Sequence, residues 1–199
     1  MRAALLGLVL LAPGVGWAGL EAPVHRSGVL VEVDPHSVAA GYLWEGTPFP
    51  TWVAITFDPA ILTLHLSGGA HRVLGMRGPR WISASPQVGG VLALADGPAA
   101  GLEGAFSLDL GHLRTHTITW VGGQVGGTYL AGEAGGGHMD VTGHVGVMVP
   151  VGDHDLWIQG GGGRLWGGQG QGELLFTTQV GIHFGLEGIN KGHKVHQTR

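Results

Sequence analysis

Residues 173–184 read ELLFTTQVGIHF. One side of this stretch carries Leu174, Phe176, Thr178, Val180, Ile182 and Phe184. The other carries Glu173, Leu175, Thr177, Gln179, Gly181 and His183. Side chains alternate faces along a β-strand, so the first set forms an apolar stripe and the second a mostly polar or small one. In a soluble sheet the apolar stripe packs on a core. In a barrel that crosses a bilayer it meets lipid, and the polar face turns into the lumen.

The same alternation recurs upstream. Residues 102–110 set Leu102, Gly104, Phe106, Leu108 and Leu110 against Glu103, Ala105, Ser107 and Asp109. Residues 138–149 set Met139, Val141, Gly143, Val145, Val147 and Val149 against His138, Asp140, Thr142, His144, Gly146 and Met148. β-Branched and aromatic runs mark further strands at 37–45, 51–57, 61–67, 70–76, 113–131 and 156–166, with a short one at 28–34 ended by Asp34-Pro35. Residues 80–95 read as one strand kinked at Pro86 or as two short ones. Gly68-Gly69 reads as a bend, Gly122-Gly123 as an interruption and Gly111-His112 as a tight turn. Loops are expected at 46–50, 96–101, 133–137 and 167–172. No helical period is sustained anywhere.

Composition narrows the class. The chain has 199 residues, of which 40 are Gly and none Cys. The glycines follow no three-residue period, which excludes collagen. Hydrophobic residues make up 44% and charged ones 12%, the reverse of a disordered chain. The formal charge of -4 gives no basic face for nucleic acid. Without Cys there are no disulfides and no thiolate metal sites. At the start, Met1-Arg2, the apolar run 3–15 and Gly16-Trp17-Ala18 have the form of an export signal cleaved after Ala18. No later segment is apolar over the 18 or so residues of a membrane helix. The expected organisation is a signal peptide at 1–18, an N-terminal leader at 19–36, a β-barrel at 37–184 and a polar tail at 185–199.

Aromatic residues suggest two belts, with Trp44, Trp52 and Trp166 near one end of the strands and Trp81, Trp157 and Phe184 near the other. Together with the export signal and the final strand, these features resemble the small bacterial outer-membrane β-barrel proteins of the eight-stranded class. In that family the last strand and its terminal aromatic are the signal read by the barrel assembly machinery, and Leu174, Phe176, Val180, Ile182 and Phe184 match that pattern. The resemblance implies an all-β, antiparallel up-and-down transmembrane barrel of eight strands; the first half of the chain reads two ways, which leaves ten as the alternative. It also implies an address in the bacterial outer membrane and partnership with outer-membrane lipid and the assembly machinery. The role implied is structural or surface-interacting and non-enzymatic. Two rival readings are a secreted or periplasmic soluble all-β binding module and an outer-membrane lipid-modifying enzyme.

Histidine is the most unusual residue after glycine, with 12 in the chain. His138, Asp140 and His144 share one strand face, His154 lies between Asp153 and Asp155, and His193 and His196 lie in the tail. Imidazole and carboxylate together suit zinc, copper or nickel. Strand neighbours two residues apart stand about 7 Å from one another, so an ion would need help from an adjacent strand. The plainer reading is lumen filling, with these groups paired to Arg or Glu across the barrel. His65 and Ser67 also share a face, in the relation found in eight-stranded outer-membrane lipid A deacylases, but no acidic partner is assignable from the sequence. The run Gly160–Gly163 lacks the lysine and following helix of a phosphate loop. No catalytic, cofactor-binding or metal residue is assigned, no cofactor is called for, and no small-molecule ligand is identified.

Overall fold

The computed structural model describes residues 27–44, 51–60, 62–94, 98–114, 117–132, 136–152, 154–167 and 172–185. The expected signal peptide, most of the polar tail with His193 and His196, and Asp153 lie outside these. The described chain is all strand: β1 (Gly28–Val33), β2 (Val38–Trp44), β3 (Thr51–Asp58), β4 (Thr63–Ala70), β5 (Arg72–Arg77), β6 (Arg80–Ala93), β7 (Ala99–Arg114), β8 (Thr117–Gly132), β9 (Gly136–Val151), β10 (His154–Trp166) and β11 (Gly172–Gly185).

Neighbouring strands pair antiparallel, β1 pairs with β11, and β4 pairs with β6, so the sheet closes on itself. Ten strands form the ring and β5 lies outside it. The count is therefore ten, the alternative held beside the favoured eight. The short alternating run at 28–33 is a full member of the ring, bonded to β2 on one side and β11 on the other. The start of β1, Gly28, and the end of β11, Gly185, sit opposite one another at the same rim. We call this the lower rim.

β5 prolongs β4. The register that pairs Thr63 with Ala93 and Gly69 with Gln87 continues unbroken to Arg72 with Ala84. A shift at Val73/Gly75 follows, and the hairpin turns at Gly78, whose φ of 58 is a conformation glycine adopts freely. Residues 80–93 are one strand. Pro86 stands where β6 changes partner from β4 to β5, at ladder positions those pairings skip, so its missing N–H is tolerated there. The turn foreseen at Gly111-His112 lies inside β7, and the foreseen interruption at Gly122-Gly123 lies inside β8.

The faces alternate cleanly. Thr51–Asp58 runs exposed, buried, exposed, buried throughout. The exposed set is apolar: Val53, Ile55 and Phe57 on β3, Leu64 and Leu66 on β4, Leu108 and Leu110 on β7, Val121 and Val125 on β8. The extreme values are Phe176 at 81% and Leu102 at 73%. The buried set is rich in Ser, Thr, Gln, His and carboxylates. The molecule is inside-out relative to a soluble sheet.

The tryptophans correct the belt assignment. Trp52, Trp81, Trp120 and Trp157 point inward, near the lower rim, and are at most 6% exposed. Trp81, Trp120 and Trp157 pack with Met148 into one cluster. Each stands opposite a glycine on the next strand: Trp52 with Gly69, Trp81 with Gly111, Trp120 with Gly146, Trp157 with Gly181. A Cβ at Gly111 would lie 1.9 Å from the Trp81 ring, and one at Gly146 would lie 2.1 Å from the Trp120 ring. These bare backbones are sockets for indoles, which is why Gly111 is not a turn and Gly69 not merely a bend. The outward aromatics are a different set, with Tyr42, Trp44 and Phe184 toward the lower rim and Phe57, Tyr129, Trp166 and Phe176 toward the upper.

Candidate functional site

Above the tryptophan layer the lumen holds a polar belt. Its members come from inward positions on strands that are themselves set by the outward apolar register. Small apolar groups cap it from above, where Val91, Ala93, Ala99 and Leu130 cluster near the upper rim. Inward side chains such as Asp109, Asp140 and Gln179 are 1% exposed, so this part of the lumen is packed.

Two histidine–carboxylate pairs, His65–Glu103 and His144–Asp109, anchor the belt, and a third, His183–Asp155, lies on the rim side of Trp157. Nδ1 of His65 donates to Glu103 Oε2 at 2.8 Å, Nε2 of His144 to Asp109 Oδ1 at 2.6 Å, and Nδ1 of His183 to Asp155 Oδ2 at 3.3 Å. A fourth histidine, His71, is hydrogen-bonded to Ser85 at 3.0 Å. A separate chain runs from Trp120 Nε1 to Gln159 Oε1 at 2.9 Å, and from Gln159 Nε2 to Gln179 Oε1 at 3.3 Å.

The first two pairs and the Trp120–Gln159 bond each leap a strand, and a glycine makes each leap possible. Asp109 on β7 and His144 on β9 both pair with Gly122 of β8, where a Cβ would lie 1.8 Å from Asp109 Oδ1. Trp120 on β8 and Gln159 on β10 both pair with Gly146 of β9. Glu103 lies over Gly89 of β6 on its way to His65 on β4, with a Cβ there 2.5 Å from Oε1. Strands two apart ordinarily keep their side chains out of hydrogen-bond range, and an empty position between them removes the obstacle. Gln159→Leu leaves the Trp120 indole N–H buried without an acceptor. The expected cost is about 1–2 kcal/mol. Urea unfolding followed by tryptophan fluorescence measures it, and an unchanged midpoint removes the bond from the account.

His138, Asp140 and His144 all face the lumen from β9, as their spacing required, but they do not converge. His144 goes to Asp109. Asp140 lies over Gly126, and neither of its carboxylate oxygens has a hydrogen-bond partner among the described residues. His138 sits near the upper rim. Among the described residues no group of three or more His, Asp or Glu is arranged to hold a metal ion. Of the expected partners, Arg or Glu, the described arginines are all exposed, while carboxylates do meet histidines across the lumen, Asp109 with His144 and Glu103 with His65. His154 instead meets the Phe184 ring edge-on at 5.1 Å.

Glu103 is the acidic partner the sequence did not reveal for His65, 38 residues away. Ser67 pairs with Gly89, which pairs with Glu103, so serine, histidine and carboxylate meet in one corner of the lumen. No hydrogen bond joins Ser67 to His65, and all three are buried on the lumen side, away from the outward face where a lipid ester would lie. Comparison with protein-family models and with curated proteins finds no match to this chain.

Proposed function

We propose that this chain is an integral outer-membrane β-barrel with a filled lumen, serving the envelope as a structural or surface-interacting element rather than as a pore or an enzyme. One observation carries the reading: the closed ring turns Val, Leu, Ile and Phe outward on nearly every strand and buries Glu32, Asp58, Glu103, Asp109, Asp140 and its described glutamines inside. That inversion is unfavourable in water, where each exposed apolar side chain forgoes a transfer gain of about 1.5–3 kcal/mol. In hydrocarbon it is the favourable arrangement, because the closed ladder leaves no backbone group unpaired at an edge. The outward aromatics toward both rims and the common rim of Gly28 and Gly185 agree with it. Surrounding lipid and the barrel assembly machinery are the partners this reading requires. The packed tryptophan layer argues against solute conduction.

Fractionation tests it. The protein is expected with the outer membrane, extracted by detergent, and slower on a gel after boiling than before. Recovery as a soluble protein with no heat shift would favour the secreted binding module and end the membrane reading. A charge at Val145, 60% exposed midway along β9, is a sharper probe. Val145→Arg is expected to cost about 2–4 kcal/mol and to deplete the folded membrane form, and wild-type yield of heat-shifted protein would count against lipid contact there.

A further inference from the structure

Charge in this barrel is segregated by face. Every described carboxylate in a ring strand falls on the lumen-facing register, whereas Arg72, Arg77, Arg80, Arg114 and Arg164 are all exposed. Four of these five gather toward the lower rim, around the β5–β6 hairpin, and Arg164 lies near the upper rim on β10. Two adjacent cross-strand rows run outward at the hairpin. The row nearer the rim is Arg77, Arg80, His112 and Thr119, and the next one in is Gly75, Ile82, Leu110 and Val121. Among the described residues neither Arg77 nor Arg80 takes part in an ion pair.

The rows line a hollow of about 730 Å³, with Met76 at its β5 side. Gly75 faces open space, where a Cβ would meet nothing within 4 Å. The β-bulge at Val73/Gly75 sets this glycine opposite Ile82. The result is a cationic strip at the rim with a parallel apolar row one step further in, so that charge lies rimward of apolar surface as it does in a phospholipid beside the wall. Guanidinium forks take phosphate oxygens two at a time, and long arginine stems rest on apolar surface while their heads reach the interface.

The geometry points to a binding site for one anionic glycerophospholipid of the bilayer, with its phosphate on Arg77 and Arg80 and the start of its acyl chains against the row of Ile82, Leu110 and Val121. This rests on the membrane reading above and adds to it a lipid class, a leaflet and the residues that hold the headgroup. The leaflet is the one at the lower rim, where the β1–β11 join has Gly28 opposite Gly185.

The test uses the full chain folded into vesicles of phosphatidylcholine alone or mixed with phosphatidylglycerol, then extracted in mild detergent, with the retained lipid identified by mass spectrometry. Wild type is expected to retain phosphatidylglycerol in excess of its share of the vesicle. Arg77→Gln with Arg80→Gln is expected to cut that preference roughly thirtyfold, the sum for two arginines at an anionic lipid surface. Leu110→Trp, which fills the hollow and leaves the arginines in place, is expected to reduce it too. Arg164→Gln near the opposite rim is expected to leave it unchanged. Heat-shifted, folded wild type that retains phosphatidylglycerol only in proportion to the vesicle overturns the site, as does an equal loss in Arg164→Gln. Failure to insert into either vesicle overturns the membrane reading, and the lipid site with it.

Discussion

Gly111→Ala is expected to destabilise the barrel by about 3 kcal/mol or more, although it adds a single methyl group. The new Cβ would stand 1.9 Å from Trp81 Cε2 and 2.0 Å from Cζ2, and the indole has no room to retreat because Trp120 and Met148 share its cluster. Overpacking of this kind forces the backbone or the ring out of place. The matched control is Gly104→Ala on the same strand, facing outward, where the nearest heavy atom to a new Cβ is 3.7 Å away, an ordinary contact. That variant is expected to unfold within about 0.5 kcal/mol of wild type. Trp81→Ala alone costs about 3–5 kcal/mol through the cavity it leaves. Combined with Gly111→Ala it should cost far less than the sum, because the clash disappears with the ring. Urea titrations of the four proteins in vesicles give the cycle. Strict additivity would mean the glycine is not a socket.

The second large effect concerns the pair that bridges β8. His144→Leu leaves Asp109 0–1% exposed with its only hydrogen-bond partner gone, so a loss of about 3–5 kcal/mol is expected. Replacing both partners, Asp109→Met with His144→Leu, removes the stranded charge together with the bond. The double variant should recover most of the loss and could equal wild type, since apolar replacements of buried ion pairs are often neutral. A double variant as unstable as the worse single one would show that the pair contributes by shape and not by charge compensation. Gly122 is part of the same unit. Its backbone is the floor the bond crosses, so Gly122→Ala should resemble His144→Leu more than it resembles an ordinary strand substitution.

The barrel itself was legible in residues 173–184, 138–149 and 102–110 because alternation needs no knowledge of neighbours. Strand count was harder. Residues 28–33 are short, and only their bonds to both β2 and β11 show that they belong to the ring. The tryptophans were misread for an avoidable reason. Trp81 has the parity of Ser83, Ser85 and Gln87, Trp157 that of Gln159, and Trp52 that of Thr56 and Asp58. Sorting them by parity instead of by distance from a strand end would have put all three inside. The glycine sockets and the leaps across Gly122, Gly146 and Gly89 could not be read in this way. They depend on cross-strand register, and register follows from turn lengths and bulges that a single sequence leaves open. Glu103 escaped notice as the partner of His65 for the same reason.

The join between β1 and β11 has a consequence in time. It pairs residues 28–33 with residues 180–185, the first described strand with the last, whereas β10 and β11 are zipped along residues 154–166. Hairpins can form as soon as their two arms exist, but this join has to wait until the whole chain is present. Its closure spans the largest loop in the molecule and is correspondingly slow. Until then β1 and β11 carry open edges, the state in which strands add to other chains. The short join is therefore the last to form and the first to fray. In hydrogen exchange its amides should be the earliest of the ring to give up protection, and a nascent chain lacking residues 180–185 should persist as an open, self-associating sheet.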